Sequence, residues 1–363
     1  MKGFNGFALS PYFCAMTNSS RPMVLVTGGA GYIGSHTAVA LHEAGFMPVL
    51  VDNLHNSKAS AVDGIRAIVG DDIPFEAVDI CDKAALEALF GRHDFVGVLH
   101  FAAHKAVGES MAKPAMYAAN NVGGLGVLLE VAGAHDVDNI VFSSSCTVYG
   151  EPEDMPVAES APFQRAESPY GWTKQACERV LEDHAAARGA AHVALLRYFN
   201  PIGAHPSANI GELPLGVPNN LIPFLTQAVS GIRKALTVFG GDYNTPDGTC
   251  IRDYLHVMDL AEAHVAALQW CINQPDDQSV IRPFNLGTGK GASVLEVIQG
   301  FERATGQKVP YTMGDRREGD VVAIWADPSR AADELGWRTT RSLETSLADA
   351  WRWQEKLNQE GSN

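Results

Sequence analysis

The residues best placed to do chemistry lie in Ser168-Pro169-Tyr170-Gly171-Trp172-Thr173-Lys174. This stretch predicts the start of a helix running to about Arg188, with Pro169 in the first turn, where a missing N–H costs nothing. Tyr170 and Lys174 are four apart, so they project from one helix face. A free phenol has a pKa near ~10 and is a poor base at neutral pH. A nearby ammonium stabilises the phenolate and lowers that value, so the pair is a candidate general base for a hydroxyl proton. Taken alone the spacing is weak, because any amphipathic helix can carry Tyr and Lys this way as a solvated pair. Ser143-Ser144-Ser145 ends an apolar stretch 25 residues before Tyr170. The Ser145 hydroxyl can hydrogen-bond the same substrate oxygen as the tyrosine, although serines at a strand end usually only form turns.

The elements that must position these groups begin at Met23. Met23–Thr27 predicts a short buried strand, followed by Gly28-Gly29-Ala30-Gly31-Tyr32-Ile33-Gly34 and a helix ending at Gly45. Strand, glycine turn and helix form the setting of a dinucleotide fingerprint. Gly28 makes the tight turn, Gly31 lets the backbone approach a pyrophosphate, and Gly34 allows close helix–strand packing, while the helix start offers N–H donors and a positive dipole. The spacing is G-x-x-G-x-x-G rather than G-x-G-x-x-G. A second strand, Pro48–Val51, ends in Asp52, placed to accept from a ribose 2′-hydroxyl and to repel a 2′-phosphate, which favours NAD over NADP.

The alternation continues. Phe75–Val78 predicts a strand ending in Asp79-Ile80, Asp82–Phe90 a helix and Val96–Ala103 a strand. A helical region reaches His135, Asn139–Ser145 is a fifth strand at whose carboxyl edge ligands collect, and His192–Phe199 follows the Tyr170 helix. Strands alternating with helices give an α/β fold with a doubly wound parallel sheet. His100 and His104 are four apart but lie across a strand end without the Glu of H-E-x-x-H, so no metal is expected.

Beyond Asn200 the texture changes. Residues 201–220 are rich in Gly, Pro and Asn, as in a boundary loop lining a site. Leu221–Ser230 predicts a helix, Leu236–Phe239 a strand and Gly240–Thr249 a polar loop. Arg252-Asp253-Tyr254 and Gly314–Asp320, with Arg316 and Arg317, are two charge clusters able to hold a diphosphate. The division expected is a loose extension over residues 1–22, a nucleotide-binding domain over 23–200 and a smaller α/β domain over 201–363. Segments of the latter, Phe284-Asn285-Leu286-Gly287 among them, are candidates to return to the first domain.

Composition narrows the partners. A net charge of −15 argues against nucleic acid, which needs a basic patch. No apolar run reaches the ~18 residues of a membrane span. Six cysteines lie far apart without C-x-x-C, which reads as reduced cytoplasmic thiols and neither a disulfide framework nor a zinc site.

The Thr27-Gly28-x-x-Gly31-x-x-Gly34 turn, Asp52-Asn53, Ser145 and Tyr170-x-x-x-Lys174 together resemble the extended short-chain dehydrogenase/reductases. Val26–His36, Lys105–Ser110, Leu196–Ala204, Arg252–Leu260 and Arg317-Glu318-Gly319-Asp320 are closer still to the UDP-glucose 4-epimerase family, over essentially Met23 to Trp353. The resemblance implies an NAD domain, a UDP-hexose domain and a homodimer. By matching motif it assigns to NAD the residues Tyr32, Ile33, Asp52, Asn53, Leu54, Asn56, Ser57, Asp79, Ile80, Phe101, Ala102, Ala103, Lys105, Asn120, Ser145, Tyr170, Lys174 and Phe199, besides the glycines. It assigns to the UDP-sugar Asn200, Asn220, Leu221, Phe239, Arg252, Arg317, Asp320 and Ile324, with Ser145 and Tyr170 at the reacting carbon. Ala103-His104 stand where the family pattern has Gly-Leu.

The chemistry implied is removal of the 4-hydroxyl proton by Tyr170 with hydride passage to NAD⁺, rotation of the 4-keto sugar, and hydride return to the opposite face. UDP-glucose and UDP-galactose interconvert, as in galactose metabolism. A 4,6-dehydratase on this scaffold uses an Asp-Glu pair after the serine, where Cys146 and Thr147 stand here. A non-catalytic NAD-binding regulator is the alternative of another class, against which Ser145, Tyr170 and Lys174 argue. In this family the residue four after Asp320 lies beside the hexose. Ile324 is bulky and β-branched, so plain hexoses are expected as the main substrates and a 2-N-acetyl group is expected to be disfavoured.

Overall fold

A computed structural model of the chain describes residues 21–317 and 321–361. The expected extension over residues 1–22 lies, but for Arg21 and Pro22, outside the described residues.

Seven parallel strands form the main sheet: β1 (Met23–Thr27), β2 (Met47–Val51), β3 (Phe75–Glu76), β4 (Phe95–His100), β5 (Asn139–Ser145), β6 (His192–Tyr198) and β11 (Val280–Leu286). Their spatial order is β11-β6-β5-β4-β1-β2-β3, the reversal of a doubly wound fold, with β1 between β4 and β2. The sequence of β1 explains its central place. Val24 and Val26 face one helix layer with the Tyr32–Glu43 and Val257–Ile272 helices, and Leu25 faces the other with Lys83–Phe90 and Gly124–Ala134. A strand covered on both faces reads as a continuous apolar run. Burying Leu25 fully contributes roughly 1.5–3 kcal/mol.

The strands β7 (Asn200–Ile202), β8 (Leu236–Phe239), β9 (Ile251–Arg252), β10 (Tyr254–His256), β12 (Ala292–Ser293), β13 (Tyr311–Gly314) and β14 (Ala323–Ile324) form three small sheets. Around them Ile222, Leu225, Val238, Val297, Phe301 and Leu347 build a separate core. Chain beyond residue 200 also serves the large sheet: β11 extends it beside β6, and the Val257–Ile272 helix covers one face.

Several boundaries differ from the sequence reading. The strand expected over Phe75–Val78 stops at Glu76, because the Val78 N–H turns back to the Glu76 carbonyl at 3.0 Å. The strand expected to run to Ala103 stops at His100. One further bond follows, Phe101 N–H to the Thr27 carbonyl at 3.0 Å, and the chain then passes against the glycine turn. Asp82 caps its helix instead of beginning it, its carboxylate accepting from the Ala85 N–H at 3.1 Å. The Pro169–Arg188 helix keeps its expected bounds. Ser168 Oγ accepts from the Gly171 N–H at 3.1 Å, and Gly189 ends the helix at φ +77°.

Candidate active site

A cleft of about 1770 Å³ runs along the carboxyl edge of the large sheet and continues between that edge and the smaller half. One end is built by the glycine turn. Gly28 sits at φ +70°, its N–H and that of Gly29 both reach the Val51 carbonyl (2.7 and 3.2 Å), and a Cβ on Gly28 would meet the Ala102 nitrogen at 2.8 Å. At Gly34 a Cβ would lie 2.2 Å from the Gly28 carbonyl oxygen, so any side chain would push helix from turn. Gly31 caps the Tyr32–Glu43 helix without a side chain, leaving the helix start bare toward the cleft that Gly31, Tyr32, Ile33 and Gly34 line.

Asp52 follows β2 and lines the same end. Its carboxylate accepts from the Ala30 N–H (3.2 Å), the Leu54 N–H (2.8 Å) and the Ser57 hydroxyl (2.8 Å), which fastens the loop to the glycine turn. Ile80, Phe101, Ala102, Ala103 and Lys105 complete this end with Asn53, Asn56 and Ser57. Leu54 and Asp79, expected at the cofactor, lie off the lining. Leu54 takes φ +57° to turn the chain, and Asp79 accepts from the Asn53 amide at 2.9 Å. Asn120 enters from the wide π turn over Ala118–Gly123.

The chemical centre lies at the end of β5. Ser145 and Lys174 are almost fully buried, and the Ser145 hydroxyl favours ionisation of the Tyr170 phenol. Lys174 Nζ lies 5.9 Å from the Tyr170 ring centroid, 4.8 Å above the Phe142 ring, and donates to the Ser143 carbonyl at 2.6 Å. This corrects the expectation that the ammonium depresses the phenol. Burial raises the Tyr170 phenol well above its ordinary value, with the Tyr198 hydroxyl adding to the rise. Burial also brings Lys174 down to about 8. Desolvation is the largest cause for both groups, and the hydrogen bond of the ammonium goes to a backbone carbonyl.

Behind this centre stand residues that sequence reasoning missed. Glu178, fully buried, accepts from Ser144 and is gripped by Arg197 (2.6 and 3.0 Å), which also donates to Tyr149 Oη at 3.1 Å. Tyr149 donates in turn to Asn285 at 2.6 Å. The signal available was Glu178 four residues beyond Lys174 on the same face. Asp253 is buried within the motif Arg252-Asp253-Tyr254 and does not face a ligand. It accepts from the Thr288 N–H (2.8 Å), the Gly289 N–H (3.2 Å) and the Ala326 N–H (3.1 Å), tying β9, β11 and β14 together.

The far end belongs to the smaller half. Phe199, Asn200, Asn220, Leu221, Phe239, Arg252, Arg317 and Ile324 all line the cleft. Arg252 and Ile324 are register partners on β9 and β14, and the Arg317 guanidinium lies 5.8 Å from the Phe239 ring centroid. Arg316, grouped with Arg317 on sequence, turns away to Asp242 (2.7 Å) and the Tyr243 ring. Asp320 lies outside the described residues. Glu212 was not foreseen. Its carboxylate accepts from the Asn220 amide at 2.6 Å and lies 3.6 Å from Lys105 Nζ, so it joins the two ends of the cleft. His100 is buried against Thr27 Oγ1 at 2.7 Å, and among the described residues no three His, Cys, Asp or Glu gather as a metal site.

Comparison with known proteins agrees along nearly the whole chain. A family model described as GDP-mannose 4,6 dehydratase matches residues 25–350. A UDP-glucose 4-epimerase of Mus musculus is 50% identical over 92% of this chain and 96% of its own. The solved UDP-glucose-4-epimerase of Stenotrophomonas maltophila, with bound NAD and formylated UDP-arabinopyranose, is 48% identical at a TM-score of 0.90, covering 94% of this chain and 99% of its own. The Bifidobacterium longum enzyme in complex with NAD+ and UDP is 43% identical at a TM-score of 0.88, covering 92% and 98%.

Proposed function

The chain belongs to the UDP-glucose 4-epimerase family of extended short-chain dehydrogenase/reductases, and from that premise we infer that it interconverts UDP-glucose and UDP-galactose with NAD as its cofactor. Inversion at C4 proceeds through a transient 4-keto sugar. The observation that carries this reading is one cluster, buried Ser145 and Lys174 with half-buried Tyr170, set in the wall of the cleft that also takes in the glycine turn.

The groove suits the cofactor on its own chemistry. The bare helix start at Gly31 offers N–H donors to phosphate oxygens. Three of the roughly four acceptor positions of Asp52 are used within the chain, which leaves one for a ribose hydroxyl. When bound, NAD supplies the hydride acceptor for C4 and a positive charge.

Tyr170 waits as a neutral phenol, since burial opposes its ionisation. The Ser145 hydroxyl, in the same wall of the cleft, is a second partner for the sugar 4-hydroxyl. Lys174, at about 8, is charged at neutral pH and is the cation available to stabilise the phenolate as the proton leaves. Asn200, Asn220, Leu221, Phe239, Arg252, Arg317 and Asp320 hold the UDP portion while the keto sugar turns. One Asn220 N–H is held by Glu212, which leaves its second N–H and its carbonyl oxygen for the ligand.

The matching family model carries a dehydratase description, but elimination of the 6-hydroxyl needs an acid and a base beside Ser145. Burial pushes the Cys146 thiol up to about 12, and Thr147 is no acid at all. Incubation with UDP-galactose tests the choice. The product is expected to be UDP-glucose of unchanged mass, and a product one water lighter would establish the dehydratase instead.

Two further readings belong here. The protein works as a homodimer, supported by the exposed Val107, Met111 and Trp172, which lie on neighbouring helices with Met111 and Trp172 bordering one groove. It resides in the cytoplasm, supported by the described cysteines being free thiols. No helix among the described residues is long and apolar enough to cross a membrane.

A further inference from the structure

Two imidazoles meet at the wall of the cleft. His55 stands four residues beyond the end of β2, and His104 four beyond the end of β4. Those strands flank β1 on opposite sides, so their ends are two strand spacings apart, roughly 10 Å. Yet the ring centroids are 4.9 Å apart in an edge-on arrangement at 66°. The contact therefore bridges the loops that follow β2 and β4, and both rings line the cleft.

Both rings are carried by fixed backbone. His104 is clamped by Asn121, whose side chain accepts from its N–H (2.8 Å) and donates to its carbonyl (3.0 Å), and its ring lies against Tyr117 at 5.4 Å. The His55 N–H donates to the Asn53 side-chain Oδ1 at 3.0 Å, the Asn53 amide is held by Asp79, and Leu54 turns the chain between them in the left-handed region. His55 is exposed and His104 half-buried, so one acts as post and the other as latch. Burial and the neighbouring His55 ring both oppose protonation of His104, so the rings touch without charge repulsion at neutral pH.

We propose that His55 and His104 form a strap across the cofactor groove that slows the release of bound NAD. The proposal rests on the reading that NAD occupies this groove. An edge-on ring contact of this kind changes an equilibrium by roughly twofold to tenfold.

Exchange of bound NAD for deuterated NAD, followed by mass spectrometry of the denatured protein, measures release directly. The parent is expected to carry NAD as purified and to exchange it slowly. His55→Ala and His104→Leu are each expected to exchange roughly twofold to tenfold faster, and the double variant no faster than the faster single, because one contact is lost in all three. His104→Phe, which keeps a ring, is expected to restore slow exchange. Exchange at the parental rate in both single variants, or compounded effects in the double, would overturn the strap. A parent that carries no NAD would overturn the cofactor reading beneath it.

Discussion

At the scale of single residues, the account turns on a phenol made difficult to ionise. Burial works against both the Tyr170 phenolate and the Lys174 ammonium, so the pair is poised only when a substrate hydroxyl and a positive charge are present. Tyr170→Phe is expected to lower turnover by roughly 10² to 10⁴ while NAD content stays at the parental level; near-parental turnover would transfer the base role to another group. Tyr170 and Lys174 were legible as neighbours because their spacing on one helix is local, and Ser145 because it ends a strand at the carboxyl edge of the sheet. Glu212 and Glu178 were not, because their partners lie on other elements and only the folded chain brings them together. Ile324 argues substrate range at the same scale. It is 6% exposed, packed with Phe199, Tyr149 and Val157 and opposite Arg252, so it has no room to yield. Accommodating an acetamido group against it costs about 1–3 kcal/mol, roughly tenfold to hundredfold in kcat/KM. UDP-N-acetylglucosamine is thus expected to be a weak substrate, improved selectively in Ile324→Ser. Equal efficiency on both sugars in the parent would remove Ile324 as the gate.

At the scale of elements, the glycine turn is the most constrained piece. A Cβ at Gly34 would sit 2.2 Å from the Gly28 carbonyl, a contact that only backbone movement can relieve. Gly34→Ala is expected to destabilise the protein by about 1–3 kcal/mol and to yield protein depleted of NAD; a variant with parental melting temperature and NAD content would contradict this packing role. The first half was readable because strands and helices alternate at short intervals, with their apolar runs set by coverage on both faces. The second half was less so. Its strands are two to four residues long apart from β11, and its longer helices, Val257–Ile272 and Leu343–Glu360, carry apolar and polar groups whose partners lie far along the chain. The Val294–Thr305 helix did announce itself through the Ser293/Glu296 capping box, a signal sequence reasoning passed over.

At the scale of the whole molecule, the two halves are joined over the cleft by the segment after β7. The Tyr32 hydroxyl donates to the Gly203 carbonyl at 2.7 Å, and Glu212 spans to Lys105. The Trp353 indole holds the Glu212 carbonyl from behind at 2.9 Å. A second copy is expected to cover the Met111 and Trp172 patch, so sedimentation should give a dimer that Trp172→Arg weakens; a monomeric parent at micromolar concentration would dismiss it. The central claim is a reaction with no net redox change, in which the cofactor leaves with neither substrate nor product. The most direct test is to purify the protein without added NAD, determine the nucleotide released on denaturation, and follow UDP-galactose turnover in the same preparation. The account predicts close to one NAD per chain and full turnover with no NAD added. A preparation empty of nucleotide that turns over only when NAD is supplied, or one that carries NAD and leaves UDP-galactose untouched, would contradict it.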